Sequence, residues 1–344
     1  MTADLPQVRR LGHRDAQGAE TARGRWRAAA VVALAAVLPL ILAEAAEAHI
    51  FGPPREPGTL AWNWDPVLLP SLILAGWLYV RGLRKIWRKG GRGRGAAVWQ
   101  AAAFAGGMLA LVVALVSPLE ALAEQLASVH MVQHMILMMV AAPLLVLAAP
   151  VPVMLVALPR AWRKPVGRAW HRVEAWPGGR HLLWNPLFTW LLYAAVNWIW
   201  HFPDFYNATL RSNFVHVMQH LTFFVAGLLF WRVAIDPLSS RRMDYGLGVV
   251  YLFTTTVHTG VLGIWMTFSP EPWYAEYLGR TEVWGFTPLE DQQMAGLVMW
   301  MPGGKMYAMV AAVIFWRWLQ QLETGTDRVQ GTPPAEQQPA PVTR

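Results

Sequence analysis

The chain has 344 residues, 55% of them hydrophobic and 15% charged, with mean hydropathy +0.30. A soluble domain carries roughly a quarter charged residues, so this balance points away from one and toward the membrane. The formal charge is +8 and cysteine is absent, which excludes a disulfide framework, thiolate metal sites and a cysteine nucleophile.

The first 27 residues carry six arginines and lead into an apolar stretch at 28–43. The "AEAAEAHIF" that follows offers Ala46-Glu47-Ala48 as a small-residue cleavage pattern, so residues 1–48 read either as a secretory leader or as a first helix. Seven further apolar segments follow at 66–80, 96–116, 129–149, 186–200, 214–234, 246–268 and 293–318. Most approach the ~20 residues needed to span a bilayer, and three are short. The expected fold is all-α: a polytopic membrane helix bundle of seven core helices plus the N-terminal hydrophobic segment. The bundle domain is expected over 49–320, with a polar, Pro-rich, disordered cytoplasmic tail over 321–344. A short interfacial helix is expected within the 157–184 loop.

The loops set a topology. Alternate loops hold 25 of the 29 Lys and Arg, including seven in "RGLRKIWRKGGRGRG"; the opposite loops hold Arg55, Arg211 and Arg280. Basic residues mark the cytoplasmic side, which puts the C-terminus inside. The opposite loops are acidic, with Glu120, Glu124, Glu276 and Glu282 among them. The positive charge is therefore assigned to topology and anionic lipid, and not to nucleic acid.

Two of the apolar segments open on near-copies of one polar pentapeptide: "HMVQH" at His130 to His134 and "HVMQH" at His216 to His220. Residues four apart share a helix face, so each helix presents two imidazoles together. Both helices run inward from the outer side, which gives the two pairs one depth. His258, in "TTTVHTG", lies about 15 Å deep at ~1.5 Å rise per residue. Asp291 and Met294 open the last segment from the same side. His at i and i+4 is metal-ligand spacing, and the absence of a Glu after the first His removes the zinc-protease pattern and argues against hydrolysis; the chain is not expected to be an enzyme. Imidazole beside thioether suits copper best, then haem iron or zinc. The candidate metal ligands are thus His130, His134, His216, His220, His258, Asp291 and Met294.

Other polar features are assigned less. "MILMM" after His134 reads as packing, and Met299 is left open between packing and ligation. His201 in "HFPDFYNATL" and His49 are outer-side candidates for extra ligands. "WNWDP" and "HFPDFYNATL" read as a lid over the bundle mouth. Pro302-Gly303-Gly304 is expected to kink the last helix. Lys305 lies within that segment with its role open. His13, His171 and His181 fall on the inner side.

"SVHMVQHMILMMVAAPLLVLAAP", "NFVHVMQHLTFFVAGLLFW", "TTTVHTGVLG" and "DQQMAGLVMWMPGG" resemble the signature segments of the multi-spanning bacterial cytochrome c oxidase assembly factors of the CtaG type, associated with caa-type oxidases. The likeness covers roughly residues 60 to 320, in order and spacing. It implies a plasma-membrane protein that helps mature haem–copper oxidase, with the oxidase subunits and membrane lipid as partners. Copper delivery is the usual suggestion for such proteins. The polar signature matches at His130, His134, His216, His220, His258 and Asp291. The competing readings are a membrane redox protein holding haem b between the two His pairs, and a metal-free scaffold for oxidase subunits.

Overall fold

The computed structural model describes residues 58–175, 184–237 and 243–330, and among these it contains helices and no strand. The leader, the segment at 28–43, His49, His181 and the end of the tail lie outside the described residues.

The first described helix, α1 (Leu68–Gly90), starts where Asp65 Oδ1 accepts the backbone N–H groups of Val67 and Leu68, both at 2.7 Å. "WNWDP" is therefore a helix-start device, and Asn63 ties it to the end of α2 (Val98–Leu115) through Val116 O at 2.9 Å. α1 runs ten residues into the stretch read as a basic loop and stops at Gly91, whose φ of 88° suits glycine.

After the short α3 (Pro118–Ala123) comes a long broken span: α4 (Ala127–Met135), a π-helical turn (Ile136–Ala141) and α5 (Ala142–Ala148). A π turn shifts the backbone hydrogen-bond register and sets carbonyls askew. Here the Trp231 indole N–H captures Met138 O at 2.8 Å. Ala149 turns the chain through φ 45° into α6 (Pro150–Ala157). The C-terminal carbonyls of α6 lack helical partners. Lys85 Nζ reaches Ala157 O at 2.9 Å, and Arg163 Nη2 reaches Val156 O at 2.8 Å. The basic residues thus cap a helix end. Arg163 belongs to α7 (Arg160–Ala175), which fills the place expected of a short interfacial helix.

Asn185 caps α8 (Pro186–His201) by accepting Leu187 N–H at 2.8 Å. A sharp turn leads to α9 (Pro203–Arg211), then to α10 (Asn213–Ile235) and α11 (Tyr245–Thr267). Two short 3-10 turns, Ala275–Tyr277 and Thr281–Trp284, cross one bundle end before α12 (Pro288–Gln330). α12 starts five residues before its apolar run, because Thr287 and Glu290 form a reciprocal capping box, with Thr287 N–H to Glu290 Oε2 at 2.8 Å and Glu290 N–H to Thr287 Oγ1 at 3.2 Å. It continues past the 318 read from the apolar pattern.

Five described helical spans are long and apolar enough to cross a membrane: Val98–Leu115, Ala127–Ala148, Asn213–Ile235, Tyr245–Thr267 and Pro288–Leu322. α1, with its basic end, and the 16-residue α8 pack with them. The distribution of side chains is inverted relative to a soluble domain. Leu187, Phe253, Leu109 and Trp316 face outward, each more than 60% exposed, while His130, Gln133, Gln219 and Asp291 are fully enclosed. Lipid accepts the first set, and the second must satisfy its polar atoms internally. Lys305 also faces outward on α12, away from the enclosed polar residues.

The helices meet through small residues. α11 and α12 pack so closely that a Cβ at Gly296 would stand 2.5 Å from Gly263 O. Gly227 of α10 lies against the π turn, where a Cβ would stand 3.5 Å from Met138 Cα. Close backbone approach of this kind is how membrane helices associate without a hydrophobic driving force.

Candidate metal centre

α4 and α10 face each other, and each i,i+4 pair turns inward. The ring centroids are 4.4 Å apart for His130–His134 and 4.2 Å for His216–His220. Across the helices, His130 stands 5.1 Å from His216 and 5.8 Å from His220, and His134 stands 5.4 Å from His220. One nitrogen from each of His130, His216 and His220 lies within 4.8 Å of the others. All four rings are buried. The two pentapeptides therefore form one cluster.

Their glutamines hold it, Gln219 by bonding the opposite helix and Gln133 by holding Glu120, which faces that helix. Gln219 Oε1, from α10, lies 3.2 Å from Nε2 of His130 on α4. Because a carbonyl oxygen only accepts, this contact makes His130 Nε2 the protonated nitrogen. Gln133, from α4, donates to Ala114 O at 2.7 Å and to the Glu120 carboxylate. Glu120 in turn points its Oε1 at His216 Nδ1, 3.7 Å away, on α10. A carboxylate behind one imidazole nitrogen favours a proton there and turns the other nitrogen forward as a lone pair, the arrangement that supports metal-bound histidine.

The cluster is roofed by α9 and the first 3-10 turn. The Tyr206 hydroxyl lies 3.0 Å from His130 Nδ1 and 3.1 Å from the Tyr277 hydroxyl, which donates to Ala123 O at 3.1 Å. Burial pushes both phenols well above their ordinary pKa, so they remain proton donors. "HFPDFYNATL" thus covers the site as expected of a lid, through Tyr206.

His134 sits one turn below. Its ring lies 4.4 Å from that of Phe223, and neither nitrogen has a hydrogen-bond partner. His220 Nε2 is likewise without one. Buried polar atoms are rarely left so. His201, at the end of α8, stands 6.5 Å from His134 and puts its Nε2 3.4 Å from Met131 Sδ.

The remaining sequence candidates lie elsewhere. His258 is half-buried and stands edge-on to Trp190 of α8, with centroids 5.2 Å apart; neither of its ring nitrogens has a hydrogen-bond partner among the described residues. Asp291 spends both oxygens on the start of α4, accepting Ala127 N–H at 2.5 Å, Ser128 N–H at 3.1 Å and the Ser128 hydroxyl at 2.5 Å. It caps the helix that carries His130. Met294 is half-buried, while Met299, one turn further on, is buried beside the His134 cavity. Glu120, Gln133, Gln219, Tyr206 and Tyr277 were not among the sequence candidates. A partial signal existed for the glutamines alone, as both pentapeptides repeat them.

A bundle that is apolar outside and holds a hydrogen-bonded imidazole cluster within defines a polytopic helical membrane protein with a buried polar site. Residues 77–321 match the family model of the cytochrome c oxidase caa3 assembly factor, and the chain belongs to that family. It is 28% identical over 276 residues to an uncharacterized protein of Mycobacterium tuberculosis, covering 77% of this chain and 41% of that protein. An uncharacterized protein of Mycobacterium leprae is 26% identical over 265 residues, covering 76% and 40%. The chain spans about two fifths of the length of these curated relatives. No solved structure matches it significantly.

Proposed function

We propose that this oxidase assembly factor binds copper at His130, His216 and His220 on the outward-facing end of its bundle and presents it to a haem–copper oxidase subunit in the bacterial plasma membrane. The observation that carries this reading is the convergence of three buried imidazole nitrogens within 4.8 Å, one of them backed by Glu120. Packing alone gives no reason to bury a carboxylate behind a histidine, because removing both groups from water costs several kcal/mol. A bound cation offsets that cost.

Two features suit loading and release. Metal–nitrogen distances of ~2.0–2.1 Å need ligand nitrogens only about 3.4 Å apart, so the trio has to close on an ion. His130 must also exchange a partner. With Nε2–H held by Gln219, its Nδ1 is the nitrogen left for an ion, and Tyr206 has Tyr277 as a second acceptor when its hydroxyl swings away. The roof is therefore a proton-bearing cover that an incoming ion displaces.

The alternate basic loops support the outward placement. The test is restoration of oxidase activity and oxidase copper in cells lacking this protein. The wild-type gene is expected to restore both, and His216→Ala with His220→Ala neither, at equal membrane abundance. Full restoration by the double variant contradicts the copper reading and leaves a metal-free scaffold.

A further inference from the structure

Below the three-histidine cluster lies a second arrangement that packing does not account for. A cavity of about 20 Å³, room for one water-sized sphere, is lined by Met131, Met135, Met138, Met299, His134 and His201 among its walls. Met131, Met138 and Met299 are buried, as are both histidines. Gly303 leaves the space open, since a Cβ there would stand 3.0 Å from Met135 Cε.

Two of the polar groups at this cavity, His201 and Met131, meet without a proton between them. His201 Nδ1 lies 2.5 Å from Asn197 O. A carbonyl only accepts, so Nδ1 carries the proton and Nε2 of the neutral ring carries a lone pair. That lone pair points at Met131 Sδ, 3.4 Å away, and a thioether has lone pairs and no proton. Two acceptors thus face each other in a buried place. His134, on the facing wall, has both ring nitrogens unpartnered, and a neutral ring keeps one N–H and one lone pair. Imidazole and thioether lone pairs thus converge on one small space whose other walls carry the Tyr193 and Tyr307 hydroxyls, bonded to each other at 2.5 Å; a soft cation suits that nitrogen and sulfur donor set.

We propose that His134, His201 and Met131, with sulfur from Met138 or Met299, form a second metal site selective for a soft monovalent ion, Cu(I) under cellular conditions. Mixed thioether and imidazole donors select Cu(I), and the absence of carboxylate among these walls disfavours hard divalent ions. The site rests on the copper reading only for the choice of ion and uses none of the three upper ligands. Its place level with His220 and one turn deeper than His130 and His216 makes it a holding site beneath the loading site. The run "MILMM", which reads as packing in sequence, supplies one of its walls.

X-ray absorption on the purified full-length protein in detergent, loaded anaerobically with Cu(I) and separately with Ag(I), tests this. The wild type is expected to show sulfur scatterers for both ions. Met131→Leu with Met138→Leu conserves volume, so the fold is expected to persist. That variant loses the sulfur signal while nitrogen-bound copper remains. His216→Ala with His220→Ala keeps the sulfur-bound ion. A wild-type spectrum with nitrogen ligands alone, or no uptake of either ion, overturns the proposal without reference to any variant. A sulfur signal unchanged in the Met→Leu variant also overturns it. Nitrogen-only binding in the wild type leaves the upper site standing, whereas mixed nitrogen and sulfur ligation with copper content unchanged by His216→Ala with His220→Ala removes the upper site and keeps this one.

Discussion

Glu120 Oε1 lies 3.7 Å from His216 Nδ1, joining α3 to the second His pair. The Gln133 side chain holds the same carboxylate from the first pair's helix. One acidic residue therefore links both copies of the pentapeptide. Glu120→Gln keeps the size and removes the charge. Loss of a carboxylate behind a ligating histidine typically lowers metal affinity by about 10–100-fold. Competition with a copper chelator is expected to show a drop in that range with an unchanged unfolding temperature. Unaltered affinity would separate Glu120 from any metal.

Tyr206 and the ion compete for His130 Nδ1. Tyr206→Phe removes one hydroxyl and leaves the ring, whose stack on Tyr274 at 3.8 Å persists. The lost hydrogen bond is worth about 1 kcal/mol, so copper affinity is expected to rise several-fold. Binding kinetics followed by stopped-flow should also quicken. Weaker binding would mean that the hydroxyl assists the ion instead of displacing for it.

Asp291 joins α12 to the first turn of α4 through three hydrogen bonds. Asp291→Ala strips an N-terminal cap, which costs about 0.5–2 kcal/mol. Thermal unfolding in detergent is expected to shift down while the copper stoichiometry stays the same. Loss of a bound equivalent at full stability would make Asp291 a ligand.

Much of the site was legible in helical spacing. His130 with His134, and His216 with His220, needed only a period of 3.6 residues, and the basic loops put both pairs at one depth. What spacing does not contain is contact between distant segments. Glu120 looks like any loop acid until α3 folds it under α10. Tyr206 and Tyr277 look like interfacial aromatics, yet their hydroxyls meet over His130. His258 fails in the opposite sense: its depth suits the cluster, but the rotation of α11 turns it toward Trp190. Segment ends misled where local chemistry outweighed hydropathy. The capping box at Thr287 starts α12 early, and in the C-terminal half of α1 Lys85 reaches the carbonyls of α6 and Arg81 stacks 4.9 Å from the Trp77 ring.

The central claim is that the histidines of the two pentapeptides bind copper. Copper bound per chain, measured on the purified full-length protein and on His130→Ala with His216→Ala, tests it most directly. The wild type is expected to retain copper held by nitrogen alone through chelator washing, and the double variant to lose that equivalent, keeping at most the sulfur-bound copper, while remaining folded. Equal copper per chain in both proteins would contradict the account.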